Sequence, residues 1–429
     1  MQVLAVDLAA GMAWPGHASA PAHVLFTWGR LPLGARNFAT SQLPPSTATM
    51  RQIAADFGAM QLAARDREWG AIPSVKKDGE LLRRARPIGG VDAATARERL
   101  DCLARPAQVD GAAFTLIVCT RDRLDDLPTC LAQIAALDPA PAETIIVDNA
   151  LDGTARSLVT AYPALRYVHE PRPGLSRARN AGIRAAQGSL IAFTDDDAWP
   201  AQGWIGELAR AFADHDVAAV TGLVAPSELE TEAQQLFQFM LGGFGRVYEP
   251  TVFDHDFYLA GRPHGVPVWR IGAGANMAFR RKAFEEVGLF DERLGAGASG
   301  CSEDSELWYR LLAAGARILY EPRAIVYHRH RRDIAGLRRQ VRAYSRGHVA
   351  ALMAQADRYG DRGNLRRMFR LLPAYYLGTF IIALVQWQPR RLMLVFDEVR
   401  GWLTGITYVL RRRWRRSADV PVLPEMHHG

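Results

Sequence analysis

Cysteine is scarce in this chain, with four in 429 residues: Cys102, Cys119, Cys130 and Cys301. None stands in a CxxC pair or another zinc-like spacing, so neither a structural zinc nor a disulfide framework organises the fold. A reducing cytoplasm is the expected setting. The N-terminus lacks the charged start and long apolar run of a signal peptide, and no lipidation signal is visible. There is no internal repeat and no low-complexity tract. Neither sign of charge dominates: 52 Lys and Arg against 45 Asp and Glu leave a formal net charge of +7. The basic excess gathers towards the C-terminus, in Arg329-His330-Arg331-Arg332, Arg338-Arg339, Arg366-Arg367 and Arg411-Arg412-Arg413-Trp414-Arg415-Arg416. That placement predicts a local surface for anionic partners. It carries no recognisable nucleic-acid module, so no nucleic acid is expected. With 49% hydrophobic and 23% charged residues, the composition is that of a folded protein.

Residues 1–110 read as a small α+β accessory domain. Val3–Leu8 and His23–Trp28 are strand-like, Ser46 caps a helix through Met50–Ala64, and Asp92 caps a second over Ala93–Leu103. No chemistry assembles there, because the charged residues are scattered. From Phe114 the texture changes. Strands at Phe114–Cys119, Thr144–Val147, Leu165–His169, Leu190–Thr194 and Val217–Thr221 alternate with helices at Leu124–Ala136, Thr154–Ala161, Ser176–Ala186 and Gly203–Ala213. This alternation predicts an α/β fold, a doubly wound and mostly parallel sheet with helices on both faces. Such sheets bind ligands beyond the carboxyl ends of their strands.

The polar residues cluster at those ends. Thr120-Arg121-Asp122-Arg123 follows the first strand, Asp148-Asn149-Ala150-Leu151-Asp152-Gly153-Thr154 the second, and Asp195-Asp196-Asp197 the fourth. Asp152-Gly153 is also ordinary turn chemistry. The triple aspartate is more telling. Adjacent carboxylates repel, and a site just beyond a buried strand disfavours them unless a cation compensates. Mg2+ and Mn2+ prefer oxygen ligands and commonly bridge carboxylates to phosphates. The competing reading is a solvated acidic turn before the next helix. Gly272-Ala273-Gly274-Ala275-Asn276 allows close backbone approach to a ligand, with Asn276 able to donate to a sugar hydroxyl, or is simply a tight turn before a strand at Met277–Arg280.

FTLIVCTRDR, TIIVDNALDGT, GLSRARNAGIRAAQGSLIAFTDDDAWP, GAGANMAFRRKAFEEVGLFDERLG and SEDSELWYRLLAAG occur in this order across Phe114–Tyr327. Together they resemble the family 2 glycosyltransferases, which share the GT-A fold. The resemblance implies a GT-A domain at residues 111–332 that moves one sugar from a nucleoside-diphosphate sugar to an acceptor hydroxyl, on a glycan or a lipid-linked molecule, with inversion. It implies a nucleotide-sugar pocket of Thr120, Arg121, Asp148, Arg179, Asn180, Asp195 and Asp196. Asp197 would ligate a divalent metal, Mg2+ or Mn2+, and His328 or His330 could join it, although both sit in a basic run. Asp304 would be the general base, with Glu303 and Asn276 on the acceptor side. A single displacement needs one base and one cation at the leaving diphosphate, whereas a retaining hydrolase needs two opposed carboxylates. Cys119 and Asp122 replace the proline and asparagine common in the first turn. The QxxRW motif of processive synthases is absent. A nucleotidyltransferase would show a glycine-rich phosphate loop, which Thr120–Leu127 lacks. A sugar-binding relative without activity is disfavoured by the presence of both Asp197 and Asp304.

Residues 333–429 read as a helical extension. Leu371–Gln388 carries no formal charge, and apolar stretches at Leu392–Phe396 and Trp402–Leu410 alternate with arginines. The pattern predicts helices lying on an anionic membrane surface, placing the chain at the inner face of the cell membrane. A membrane span and simple packing are the alternatives.

Overall fold

The computed structural model describes residues 1–10, 14, 20–65, 97, 98, 100, 101, 104, 113–245, 247–411, 420 and 421. Most of the helix expected at Ala93–Leu103 and the arginine run beyond Arg411 lie outside the described residues. Strands β1 (Gln2–Asp7), β2 (Ala22–Trp28) and β3 (Leu31–Phe38) form one small sheet in that order, β1 and β2 parallel, β2 and β3 antiparallel. The sequence reading missed β3. The helix Thr47–Arg65 begins where expected, with Ser46 Oγ accepting the Thr49 N–H at 3.1 Å.

The main sheet is built from β4 (Phe114–Thr120), β5 (Glu143–Asp148), β6 (Leu165–His169), β7 (Leu190–Asp195), β8 (Ala198–Pro200), β9 (Val217–Pro226), β10 (Thr251–Phe253), β11 (Met277–Arg280) and β12 (Arg317–His328). Its order is β10-β12-β9-β11-β7-β4-β5-β6, with β8 paired to β12. β7, β4, β5 and β6 run parallel. β11 returns antiparallel between β7 and β9, so the sheet is mixed rather than parallel throughout. Strand β4 shows why the parallel part lies inside. Phe114, Leu116 and Val118 pack into the core on one face, and Ile117 into the core on the other. Successive side chains of a strand point to opposite faces, so a continuous apolar run needs helices on both sides. These come from Leu127–Ala135, Leu175–Ala185, Trp204–Ala211 and Glu303–Ala313, among others.

Beyond β12 the chain is helical. Ile334–Tyr359 packs along Pro389–Arg411, and Arg338 and Arg342 converge on the buried Asp397 at 2.6 and 2.7 Å. Between them runs Arg362–Val385, the single helix among the described residues long and apolar enough to cross a membrane; only 17% of its apolar window is buried. Leu377, Ile381, Ile382, Leu384 and Val385 are each half or more exposed.

Candidate active site

β4, β5 and β6 step to one side of the sheet, and β7 lies on the other side of β4. The strand order therefore reverses between the ends of β4 and β7, the position at which doubly wound sheets take ligands. A cavity of about 2180 Å³ opens there. Typical small-molecule sites enclose roughly 300–1,000 Å³, so this one has room for two substrates. Thr120, Arg121, Arg179, Asp195, Asp196, Asp197, Glu303, Asp304 and His328 all line it.

Arg179 joins its two halves. It is fully buried, donating to Glu303 Oε1 at 2.7 Å, to Asp195 Oδ1 at 3.2 Å and to the Gly274 carbonyl at 3.3 Å. Burial pushes the Glu303 carboxyl up to about 7 against the pull of Arg179, with neighbouring Asp304 adding to the rise. Asp304 opens the helix Glu303–Ala313 and keeps part of its surface in the cavity. Its Oδ1 accepts the Ser305 N–H at 2.6 Å. Burial raises the Asp304 carboxyl, opposed by Arg179 and by the N–H groups of Ser305 and Gly274. A side chain on Gly274 would put its Cβ 3.0 Å from Arg179 Nη2 and 3.1 Å from Asp304 Oδ2, so glycine is what lets these charged groups close on the loop.

The aspartate triplet is divided in its attachments. Asp195 faces Arg179. Asp196 accepts from Thr120 Oγ1 at 2.8 Å and from Arg123 Nη1 at 2.9 Å. Burial pushes Asp196 up to about 7, Arg123 opposing and Asp197 reinforcing. Asp197 pairs with Arg123, with His328 Nε2 at 3.3 Å and with Arg331 Nη1 at 3.5 Å. Burial alone would raise the Asp197 carboxyl, but His328, Arg123 and Arg331 hold it well below the carboxylate range. Behind this group, burial and the neighbouring His328 pull His330 down to about 3, leaving it neutral. With Gln238 Oε1 as acceptor at 3.1 Å, His330 carries its proton on Nε2 and presents a bare Nδ1. That Nδ1 lies 3.2 Å from His328 Nδ1, which must then donate. His328 therefore turns its Nε2 towards the Asp197 carboxylate, as a donor while that nitrogen carries a proton. Without that proton, a cation could take its place between the two groups, which is how a histidine and a carboxylate come to share a metal. Among the described residues no three His, Cys, Asp or Glu side chains converge to hold an ion. A metal on Asp197 and His328 would take its remaining ligands from phosphate and water, the habit of Mg2+.

Three expected site residues lie elsewhere. Asp148 is fully buried, accepting from the Ala150 and Ala155 N–H groups at 3.0 and 2.8 Å and from the Tyr167 hydroxyl at 3.1 Å. It shapes the turn after β5, and Asn149 beside it lines the cavity instead. Asn180 clasps the Phe290 backbone, accepting its N–H and donating to its carbonyl, each at 2.9 Å. Asn276 donates to the Leu223 and Ala324 carbonyls at 2.9 and 2.7 Å and accepts from Trp204 Nε1 at 3.0 Å. It tethers the sheet and has no surface to offer an acceptor. Gly272 likewise makes room for Thr221, 2.6 Å from where its Cβ would be. Arg123 was the residue missed: an arginine just past β4 is the counter-charge the triplet requires. The cavity wall supplied by β3 and the loop around Phe239–Gly245 left no sequence signal.

Residues 115–288 match the family Glycosyl transferase family 2. The pre-mycofactocin glycosyltransferase of Mycobacterium tuberculosis (strain CDC 1551 / Oshkosh) is 30% identical over 259 residues, 57% of this chain and 49% of that protein. The succinoglycan biosynthesis protein ExoM of Rhizobium meliloti is 29% identical over 223 residues, 49% of this chain and 64% of that protein. The chain thus spans about half the length of the first of these relatives and just under two thirds of the second. Among solved structures, the mannosyltransferase PcManGT from Pyrobaculum calidifontis, in complex with GDP-Man and Mn2+, is 19% identical. It covers 71% of this chain and 91% of its own at a TM-score of 0.45, too loose a superposition to transfer any residue.

The relocation of Asn276 is testable. Asn276→Ala should lower stability by roughly 1–3 kcal/mol for each buried group left unpaired, read from the urea midpoint, while nucleotide affinity holds. Wild-type stability with a raised acceptor KM would return Asn276 to the acceptor site.

Proposed function

Because the chain is a family 2 glycosyltransferase over residues 115–288, we propose that it transfers one sugar per encounter from a nucleoside-diphosphate sugar to an acceptor hydroxyl, inverting the anomeric carbon. The observation that carries this reading is the pairing, in one cavity, of the cation-ready Asp197–His328 site with the half-buried Asp304, joined through Arg179 and Asp195. The nucleotide lies over the ends of β4 and β7, near Thr120, Arg121 and Asn149. Asp195 and Asp196 face the ribose or sugar. A divalent cation held by Asp197 and His328 would offset charge developing on the leaving diphosphate. Arg123 and Arg331, beside Asp197, add fixed positive charge on the same side.

Asp304 takes the proton from the acceptor hydroxyl as that oxygen attacks. Its carboxylate is held by the Ser305 and Gly274 N–H groups and lies at the N-terminus of a helix, which favours the anion. Glu303 cannot share the role while Arg179 holds it, so it positions Arg179 rather than touching the acceptor. The names of the two relatives point to unlike products, so the acceptor is argued from the cavity. Relatives aside, the exposed apolar row Leu377–Val385, with Arg362, Arg366 and Arg370 exposed on the same helical run, favours attachment to an anionic membrane surface at its cytoplasmic side.

Asp304→Asn keeps shape but not basicity, and should cost ~10^2–10^4-fold in kcat with donor affinity unchanged. Because burial raises this carboxyl, the wild-type rate should fall with decreasing pH sooner than an ordinary carboxylate would dictate. Near-normal turnover in the variant would move the base elsewhere. For the metal, EDTA should abolish transfer and Mg2+ or Mn2+ restore it, and Asp197→Ala should be inactive yet folded. Full activity in EDTA removes the cation from the reading. For the membrane, the full chain should sediment with anionic vesicles and be partly released by high salt. Failure to bind any vesicle would make the apolar row a packing surface.

A further inference from the structure

The cavity is larger than a nucleotide sugar requires, and one of its walls comes from the C-terminal helices. His348, Arg367, Leu372 and Tyr376 form it, meeting Trp269 and Arg270 of the turn that precedes β11. Arg367 stacks on Trp269, its Cζ 4.1 Å from the ring centroid, and Trp269 meets the His348 ring edge-on at 5.1 Å. The Arg367 Nη1 reaches only the His264 and Gly265 carbonyls, at 3.3 and 3.4 Å, and its Nε is buried with no hydrogen-bond partner. Among the described residues no carboxylate offsets it; burial and the nearby charge of Arg270 pull its guanidinium down to about 10. Glu398, the acid on this wall, lies against Arg391 at 3.4 Å. Burial likewise pulls His348 down, to about 3, so it adds no charge.

A half-buried guanidinium without a counter-ion, next to a second arginine, is an incomplete ion pair, since buried charges are normally paired. The aromatic face of Trp269 holds it in place, and with Nε buried and Nη1 on two carbonyls, Nη2 is the donor left to meet a ligand in the cavity. We propose that Arg367, with Arg270 beside it, is the anion subsite of the acceptor, binding a phosphate-type group on an amphiphilic molecule. Its apolar part lies along Leu372 and Tyr376, where the wall continues into the exposed apolar helix Arg362–Val385. The acceptor class is therefore a phosphorylated amphiphile, anchored by its anion while its hydroxyl-bearing part reaches Asp304. This assignment rests on the transferase reading of the same cavity.

The test is calorimetric, on the full chain, with octyl phosphate, octanol and inorganic phosphate as probes and a nucleoside diphosphate as the control ligand. Octyl phosphate should bind at least roughly tenfold more tightly than octanol or inorganic phosphate, as expected for a charge-assisted contact added to apolar burial. Arg367→Gln should erase the advantage over octanol, and Arg270→Gln should reduce it, both with nucleoside-diphosphate affinity unchanged. Equal binding of octyl phosphate and octanol overturns the proposal, as does an advantage that survives Arg367→Gln. Inorganic phosphate binding as tightly as octyl phosphate overturns it too, in favour of a free-phosphate site. If Arg367→Gln does not fold, Arg270→Gln decides, and an undiminished advantage there refutes the subsite. Loss of the transferase reading would show separately, as no affinity for any nucleoside diphosphate.

Discussion

A buried arginine that must be neutralised from two sides is the constraint on which the site depends. Arg179 comes from the helix Leu175–Ala185 and is 2% exposed, so its charge cannot be left to solvent. Asp195 at the end of β7 meets it from one side, and Glu303 at the start of the helix that also carries Asp304 from the other. Removing one partner of such a pair costs about 3–5 kcal/mol. Strand end, glycine loop and helix are thereby fixed relative to each other, and the proposed nucleotide and acceptor halves of the cavity cannot drift apart. The Glu303 carboxylate is spent on this tie. The two adjacent acids at the head of this helix are thus placed differently, Glu303 turned to Arg179 and Asp304 keeping part of its surface in the cavity.

The second balance lies at Asp196 and Asp197, two buried carboxylates held by Arg123 and Thr120 on one side and by His328 and Arg331 on the other. Their environments push them apart. Asp196 is driven towards neutrality by burial, while Asp197 is kept ionised by its basic neighbours. A pair split this way suits a site where one carboxylate accepts a cation and the other can donate to a hydroxyl. His330 contributes from behind by staying neutral, because its bare nitrogen fixes which face of His328 is turned to Asp197.

Much of this was legible in the sequence because strand ends are. The apolar runs Phe114–Cys119 and Leu190–Thr194 announced buried parallel strands, and the polar residues that follow them had to lie at the strands' carboxyl ends. What the residues could not show was direction. Asp148, Asn180 and Asn276 look like ligand-binding residues by type and by position, yet each turns its polar atoms to backbone groups that burial would otherwise leave unpaired. Short-range patterning cannot separate the two uses, since both require a polar side chain beside a ligand-sized gap. The antiparallel return of β11 was equally hidden, because a four-residue strand carries no mark of its direction. The match of composition to fold failed at β3 for another reason: Leu31-Pro32-Leu33-Gly34 contains a proline and a glycine, both poor strand formers, tolerated at the edge of a small sheet.

The segment that matches the family, residues 115–288, contains the strand ends, the aspartate triplet and Arg179, but stops short of Asp304, His328 and the helical wall. It also excludes His23, Gly34 and Asn37 of the small N-terminal sheet, which line the same cavity. The chemistry of a leaving diphosphate is common to many transfers, so its groups can be carried by a shared fold. The acceptor differs from one transfer to the next, and its recognition falls to elements added around that fold. The elements outside the matched segment enclose the cavity on two sides: His23 is held by Asn37 Oδ1 at 2.6 Å and packs edge-on against Phe239, while His348 and Arg367 close on Trp269 of the matched segment on the other. The small sheet docks through Leu25 on Leu223, Ala225 and Ile325 of the main sheet, and the C-terminal helices pack Ala350, Ala351 and Val409 on Leu294, so both additions are held to the core by apolar burial while Arg179 and its partners lie inside it.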